Sequence, residues 1–207
     1  MTQFPDIRFI KSAHKPRDFP PDSGREVAFA GRSNAGKSSA INTIVARRGL
    51  ARTSKTPGRT QLINFFGLAD DQRLVDLPGY GFARVPAEVR NHWRELMQDY
   101  FAGRGSLAGV MLIVDIRRGL GEFDGQMLDW AMASGCPVHI LLTKADKLKR
   151  GGVAKAVHET EKALARDYAS TAQATLSLQV FSSLKNTGVD DAREVLREWL
   201  VFGESGA

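Results

Sequence analysis

With a single cysteine, Cys136, among 207 residues, the chain cannot build a disulfide framework, and a reducing compartment suits it. Its four histidines, His14, His92, His139 and His158, are scattered without the spacing of metal ligands. No apolar run approaches membrane-spanning length. The first residues, with Asp6, Arg8 and Lys11 among few apolar ones, lack the apolar stretch of a signal peptide. A soluble, cytoplasmic protein with no membrane partner is expected. There is no internal repeat and no low-complexity segment. At 43% hydrophobic, a chain of this length holds one well-cored domain and is short for two.

Negative charge is missing from one long stretch. Between Val27 and Ala69 there is no Asp or Glu, whereas Arg32, Lys37, Arg47, Arg48, Arg52, Lys55 and Arg59 all fall there. These seven exceed the formal net charge of +6, so the basic character is local. Two readings of it stay open, a solvated basic surface and a face that binds a polyanion.

The densest signal is Gly31-Arg32-Ser33-Asn34-Ala35-Gly36-Lys37-Ser38, which fits the Walker A pattern of Gly, four residues and Gly-Lys-Ser. Such a loop works when it leaves a strand and opens a helix, because backbone N–H groups then wrap phosphates at the positive helix end. Val27 to Ala30 has strand character, and Ala40, Ile41, Ile44 and Val45 give residues 37–47 a helical period. Lys37 is expected to reach the outer phosphates and the Ser38 hydroxyl to ligate Mg²⁺.

Four prolines disfavour regular structure over most of residues 1–24, which predicts an arm laid on a domain spanning 25–203. The segment from Gly49 to Thr60 is polar, basic and broken by Pro57-Gly58, as a loop should be. Residues 61–68 and 73–76 read as two strands joined at Asp70-Asp71. Val89, Trp93, Leu96 and Tyr100 predict a helix ending at Gly103, with Pro86 in its first turn. The apolar runs 109–115 and 137–143 predict strands covered on both faces, and the alternating run 176–180 predicts a last strand with one face less buried. Thr187 with Asp190 marks the start of the final helix. Trp93, Trp130 and Trp199 all lie on apolar helical stripes and belong to the core. The alternation implies an α/β fold of three layers, with six strands, mostly parallel, and one antiparallel edge strand.

In this architecture ligands sit beyond the carboxyl ends of parallel strands, and each further motif falls just past one. Asp76-Leu77-Pro78-Gly79 would hold Mg²⁺ through water at Asp76 and let the backbone approach a γ-phosphate at Gly79. Thr143-Lys144-Ala145-Asp146 addresses the base. A carboxylate in the plane of guanine accepts from both its ring N–H and its exocyclic amine, a donor pair that adenine lacks, so Asp146 would select guanine. Lys144 can lay its stem over the base. Phe181, Ser182 and Ser183 follow the last strand, where backbone N–H groups would back the base.

The loop at Gly31–Ser38, Lys55-Thr56-Pro57-Gly58-Arg59-Thr60-Gln61, Asp76-Leu77-Pro78-Gly79-Tyr80-Gly81-Phe82-Ala83 and Thr143–Asp146 together resemble the EngB (YihA/YsxC) family of bacterial GTPases. Phe9-Ile10-Lys11-Ser12-Ala13 also looks like that family, so the resemblance covers nearly the whole chain. It implies a Ras-like P-loop GTPase domain, GTP and GDP as ligands, Mg²⁺, and a monomer acting in assembly of a large ribosomal subunit precursor and needed for normal septation. By position it implies that Thr60 ligates Mg²⁺, with Thr56 the competing candidate, and that Gly58, Arg59, Thr60, Gln61 and Leu62 approach the nucleotide.

One residue type is missing. Ras-like GTPases place a glutamine directly after the Asp-x-x-Gly glycine to orient the attacking water, and here that position is Tyr80. Slow intrinsic turnover is expected, and Asn34, whose side-chain oxygen can help ligate K⁺, suggests a monovalent cation as an aid. Two further functions compete with the ribosomal switch. A metabolic P-loop kinase or ATPase is one, which Thr-Lys-Ala-Asp argues against, and a septation scaffold with a structural nucleotide is the other.

Overall fold

The apolar runs of the sequence become the middle of one sheet, because strands that bury both faces can only lie between layers of helices. The computed structural model describes residues 4, 7–51, 62–68, 71–81, 86–168 and 176–200. Among these, the strands are β1 (Arg8–Ala13), β2 (Arg25–Gly31), β3 (Ile63–Gly67), β4 (Gln72–Asp76), β5 (Leu107–Asp115), β6 (Val138–Thr143) and β7 (Leu176–Val180). Their spatial order is β1-β3-β4-β2-β5-β6-β7. Pairing is parallel from β4 through β2, β5 and β6 to β7. β3 runs antiparallel to both of its neighbours, β1 and β4.

The expected six strands with one antiparallel edge therefore become seven, and the antiparallel strand lies one place in from the edge. The added strand is β1, from the stretch read as an arm. Its sequence is half polar and basic, so no apolar pattern announces it; it becomes a strand because β3 offers it an open row of backbone groups. The arm is fixed at two more places. Phe19 packs against Phe65 and Tyr100, with ring centroids 5.8 Å from each.

Among the described residues five helices cover the sheet: α1 (Lys37–Ile44), α2 (Ala87–Gly103), α3 (Glu122–Ala133), α4 (Arg150–Tyr168) and α5 (Val189–Leu200). Alternation along β2 splits the core, since successive side chains point to opposite faces. Val27 and Phe29 join Ile41, Ile44, Ala192 and Leu196 from α1 and α5. Ala28 and Ala30 join the layer of α2, α3 and α4 through Trp93, Met97, Met127, Leu128 and Leu164. Trp93 is buried, while Trp130 and Trp199 pack half-buried against the two cores, as their helical stripes require.

Three boundaries differ from the sequence pattern. α1 stops at Ile44 rather than near Arg47, because Ala46 adopts a left-handed φ of 54°. Pro86 caps α2 from outside instead of lying in its first turn. Thr187 precedes α5, and its backbone exchanges two hydrogen bonds with Ser182. Among the described residues no helix is long and apolar enough to cross a membrane.

At the amino ends of the central strands a buried carboxylate ties the sheet to the arm. Glu26, fully buried on β2, accepts from Arg73 Nε at 2.6 Å, from the Arg104 guanidinium, and from the Tyr100 hydroxyl at 3.2 Å. The two arginines also donate to the carbonyls of Pro20, Pro21 and Ser23. Removing one partner of such a network leaves charge without compensation. Arg104→Ala is therefore expected to cost about 3 kcal/mol of unfolding free energy in urea titration. An unchanged midpoint would show that the network is dispensable.

Candidate functional site

The carboxyl ends of β2, β4, β5 and β6 lie side by side, and the motifs that follow them meet there. β2 ends at Gly31, which pairs with Ile113 on β5; a Cβ here would stand 2.7 Å from the Ile113 carbonyl oxygen, so only glycine fits. The chain then turns through Asn34 at φ 64° and Gly36 at φ 104°, and Gly36 caps α1. With the N–H groups of Ser33 and Ala35 donated to Tyr80 O and Arg32 O, this left-handed geometry leads the loop into a helix N-terminus, the arrangement that receives phosphate. Lys37 and Ser38 open the helix, as the Walker A pattern predicts.

From β4, Asp76 reaches the same place. It is buried and forms an ion pair and hydrogen bond with Lys37 Nζ. Leu77 continues the strand, its N–H donating to Phe29 O at 3.0 Å, and Pro78 follows. Gly79 lies against the phosphate loop, since a Cβ on it would be 3.0 Å from Ser33 Oγ. Next, Tyr80 O accepts from Ser33 N at 2.8 Å, which stitches this segment to the loop. The Tyr80 side chain turns away into the core. It is 4% exposed, its ring lies 5.7 Å from Trp93 and 6.0 Å from Phe123, and its hydroxyl donates to Asp124. Burial and the Asp124 charge hold the phenol well above its ordinary range, and burial raises the Asp124 carboxyl too.

The motif after β6 holds the phosphate loop from the other side. Thr143 Oγ1 lies within hydrogen-bond distance of Ala35 O and of Val114 O. Lys144, at a left-handed φ of 60°, extends its ammonium to Asn34 O and to within 3.0 Å of Asp115 Oδ2. Ala145 N donates to Phe181 O at 3.2 Å, which fixes the turn against the end of β7. Asp146 then accepts from Ser182 Oγ at 2.6 Å. That hydroxyl, with Lys147 3.5 Å away, holds the Asp146 carboxyl below its ordinary range. An ionised, oriented carboxylate is the state needed to accept two N–H groups in one plane.

The structure thus brings together residues 31–38, Asp76 to Gly79, Thr143 to Asp146, and Phe181 with Ser182. Phe181 is fully buried and contributes its carbonyl to the turn, while Ser183 is half-buried beside Ser182. The Ser182 N–H is taken by Thr187 O, so this serine acts on Asp146 through its hydroxyl. Leu62 is half-buried just ahead of β3. Thr56, Gly58, Arg59, Thr60 and Gln61 lie outside the described residues.

Asp115 is a residue the motif reading missed. It ends β5, is 5% exposed, and accepts from Arg117 Nε at 2.9 Å and Arg117 Nη2 at 2.6 Å as well as from Lys144. Burial alone would raise this carboxyl, but the hydrogen bonds from Arg117 and Lys144 outweigh it and leave the carboxyl well below its usual range. A charged residue closing a buried parallel strand at the ligand end was the available signal.

A phosphate loop, an acidic residue on the neighbouring strand and a Lys-x-Asp turn on one parallel sheet define a P-loop GTPase domain. Residues 26–144 match the model of the family described as 50S ribosome-binding GTPase, and the chain belongs to that family. Among solved structures, a probable GTP-binding protein engB aligns over 84% of this chain and 98% of its own, at 20% identity and a TM-score of 0.67. Era, in complex with MgGDPNP and nucleotides 1506–1542 of 16S ribosomal RNA, aligns over 88% of this chain and 59% of its own, at 17% identity and a TM-score of 0.59. The translation elongation factor SelB from Methanococcus maripaludis, in its apo form, aligns over 86% and 33%, at 14% identity and a TM-score of 0.59. At these identities the likeness is one of fold.

Asp115→Asn removes the charge that anchors Lys144 while keeping the size of the side chain. GDP affinity is expected to fall about tenfold, the order of 1.4 kcal/mol for one charge-assisted bond. Fluorescent-GDP titration checks this, and Asp115→Glu should recover part of the loss. Affinity equal to wild type would mean that Lys144 needs no anchor.

Proposed function

We propose that this protein is an EngB-type, Mg²⁺-dependent GTPase that converts GTP to GDP and phosphate and acts as a switch in assembly of the large ribosomal subunit, with normal septation depending on that role. The observation that carries the reading is Asp146, held ionised by Ser182 on the same turn whose Thr143 and Lys144 grip the phosphate loop. Base selection and phosphate binding are one construction. The protein is taken to work as a cytoplasmic monomer, with residues 25–203 as the nucleotide-binding domain and 1–24 as an arm.

In the mechanism, Lys37 is paired with Asp76 while no phosphate is present. Phosphate oxygens offer Lys37 a stronger partner, and the exchange releases the Asp76 carboxylate. Ser38 and Asp76 would supply hard oxygen donors, the chemistry suited to Mg²⁺, with Thr60 as the third protein contributor and Asp76 acting through water. Magnesium supplies neutralisation of charge on the outer phosphates. Among the described residues no group of three or more His, Cys, Asp or Glu gathers, so few protein oxygens would hold the ion, in keeping with its preference for phosphate and water. Thr60 and Gly79 would sense the γ-phosphate, and with Tyr80 committed to the core turnover should be slow.

Asp146→Asn tests the base assignment and the switch together. The new amide donates where the carboxylate only accepted, so GDP affinity should fall by about 3 kcal/mol and xanthine nucleotides should be preferred. In sedimentation of cell extract, wild type should ride with large-subunit particles in the presence of a non-hydrolysable GTP analogue and less with GDP. The variant should need the xanthosine analogue. Retained GDP preference overturns the site, and nucleotide-independent sedimentation overturns the switch.

A second expectation concerns K⁺. Asn34 is exposed at the turn of the phosphate loop, and residue 80 offers no group to the reacting phosphate. A monovalent cation ligated by the Asn34 side chain would supply that charge. Turnover should be faster in K⁺ than in Na⁺ at equal ionic strength, and Asn34→Ala should abolish the difference; equal rates in both proteins would exclude this role.

A further inference from the structure

The pairing of β1 with β3 brings a second acid-free stretch beside the first. Residues 7–17 contain Arg8, Lys11, Lys15 and Arg17 and no Asp or Glu. They lie along β3, inside the acid-free stretch from Val27 to Ala69. Together the two stretches hold eleven basic residues, and the rest of the chain carries eighteen against all 23 acidic ones.

That edge is a line of cations. Arg47 donates to Ile7 O, which seats the end of α1 against the entry to β1 and leaves Arg48 exposed there. Arg8 and Lys11 follow along the strand, about 20 Å long at its usual rise. Lys15 and Arg17 continue it on the exposed turn beyond. In sequence the stretch is bounded by Asp6, which lies outside the described residues, and by Asp18, whose carboxylate lies 3.6 Å from His14 Nδ1.

An aromatic ring stands on the same edge, on the sheet face of Phe66, while Arg8 and Lys11 lie opposite Gly67 and Phe65 on the other face. Phe9 is 56% exposed, and it is held at 5.9 Å and 67° against the buried Phe66. A bulge between Phe9 and Lys11 breaks the alternation of the strand, so that Arg8, Phe9 and Ile10 are exposed in succession. An exposed ring fixed from below costs apolar surface that the core does not recover. Cations along an open sheet edge with a fixed ring beside them match a strand of nucleic acid, whose phosphates take the charges and whose bases stack.

We propose that the β1 edge is a binding face for single-stranded RNA, contacted through Arg8, Lys11, Lys15, Arg17 and Arg48 with a base stacked on Phe9. The proposal rests on the ribosomal reading for the source of the RNA, but the face itself is built from the arm and is complete without nucleotide. It therefore binds RNA in the GDP state as well, and the nucleotide controls other contacts.

The test uses the full chain loaded with GDP and a fluorescein-labelled twenty-residue oligouridylate, with anisotropy read from 50 to 300 mM KCl. Arg8→Gln/Lys11→Gln/Lys15→Gln/Arg17→Gln should lose at least tenfold in affinity and flatten the salt slope by about 0.7 log units for each lost contact. Phe9→Ala, a single exposed change that leaves the charges in place, should lose about tenfold with the slope unchanged. Removing four cations elsewhere, in Lys149→Gln/Arg150→Gln/Lys155→Gln/Lys162→Gln, should cost little.

An equal loss from that control overturns the face in favour of net charge. A duplex bound as tightly as the single strand, with Phe9→Ala without effect, overturns stacking. Tighter binding of polyglutamate than of the oligonucleotide assigns the edge to an acidic protein instead. If the four cations serve only to keep a sheet edge from pairing, their removal will cause self-association with RNA affinity unchanged, which also overturns it. Fluorescent-GDP affinity, measured on the same samples, separates this result from the nucleotide assignment: loss of RNA binding with GDP affinity intact supports the edge alone, and RNA binding by a wild type that ignores guanine nucleotides leaves the edge standing while the switch falls.

Discussion

The site depends on the grip that the end of β6 takes on the phosphate loop. Thr143 and Lys144 reach the carbonyls of Ala35 and Asn34 and tie the loop down with side chains. The loop needs the tie. Asn34 and Lys144 both sit in the left-handed region, which costs a residue with a Cβ on the order of 1 kcal/mol, and such conformations persist only where surrounding contacts over-determine them. The bonds that relieve the cost are the ones that join the phosphate end of the site to its base end.

Opposite ends of the same strands are finished in opposite ways. At the amino ends, Glu26 has its oxygens filled by Arg73, Arg104 and Tyr100, and the arginines fill the carbonyls of the arm. The carboxylate there is partnered by the protein itself. At the carboxyl ends Lys37 and Asp76 pair with each other beside the phosphate loop, a pairing that a bound phosphate would open. A parallel sheet gives both ends the same strands and therefore the same rigidity. The difference in chemistry alone makes one end a foundation and the other a site.

Much of this was legible in residues whose roles are local. Strands buried on both faces, amphipathic helices, and the spacing of Gly31 to Ser38 depend on neighbours a few positions away, and the pattern located them. What escaped depends on partners far along the chain. β1 is a strand only because β3, fifty residues later, leaves its edge open, and its own residues read as a basic arm. Asp115 looks like an ordinary polar residue until Lys144 arrives beside it, and Ser182, legible as a site residue, acts through its hydroxyl on Asp146 rather than through the expected N–H. The missing glutamine was visible at Tyr80, whereas the destination of the tyrosine was not, since that required Asp124 and a cluster of rings drawn from α2 and α3.

Tyr80 constrains how this GTPase domain can respond to its ligand. Its backbone carbonyl is bonded to Ser33 in the phosphate loop and its side chain is buried against Trp93 and Phe123, so residue 80 is held at both ends of its own Cα. Swinging the side chain toward the phosphates would expose a ring worth about 2 kcal/mol of burial and leave the Asp124 carboxyl without its donor. Against that cost a phenol offers little to an attacking water. The movement therefore available after Gly79 is one that carries Tyr80, Trp93 and the start of α2 together. Any group that stabilises charge during hydrolysis must therefore come from outside the Tyr80 side chain.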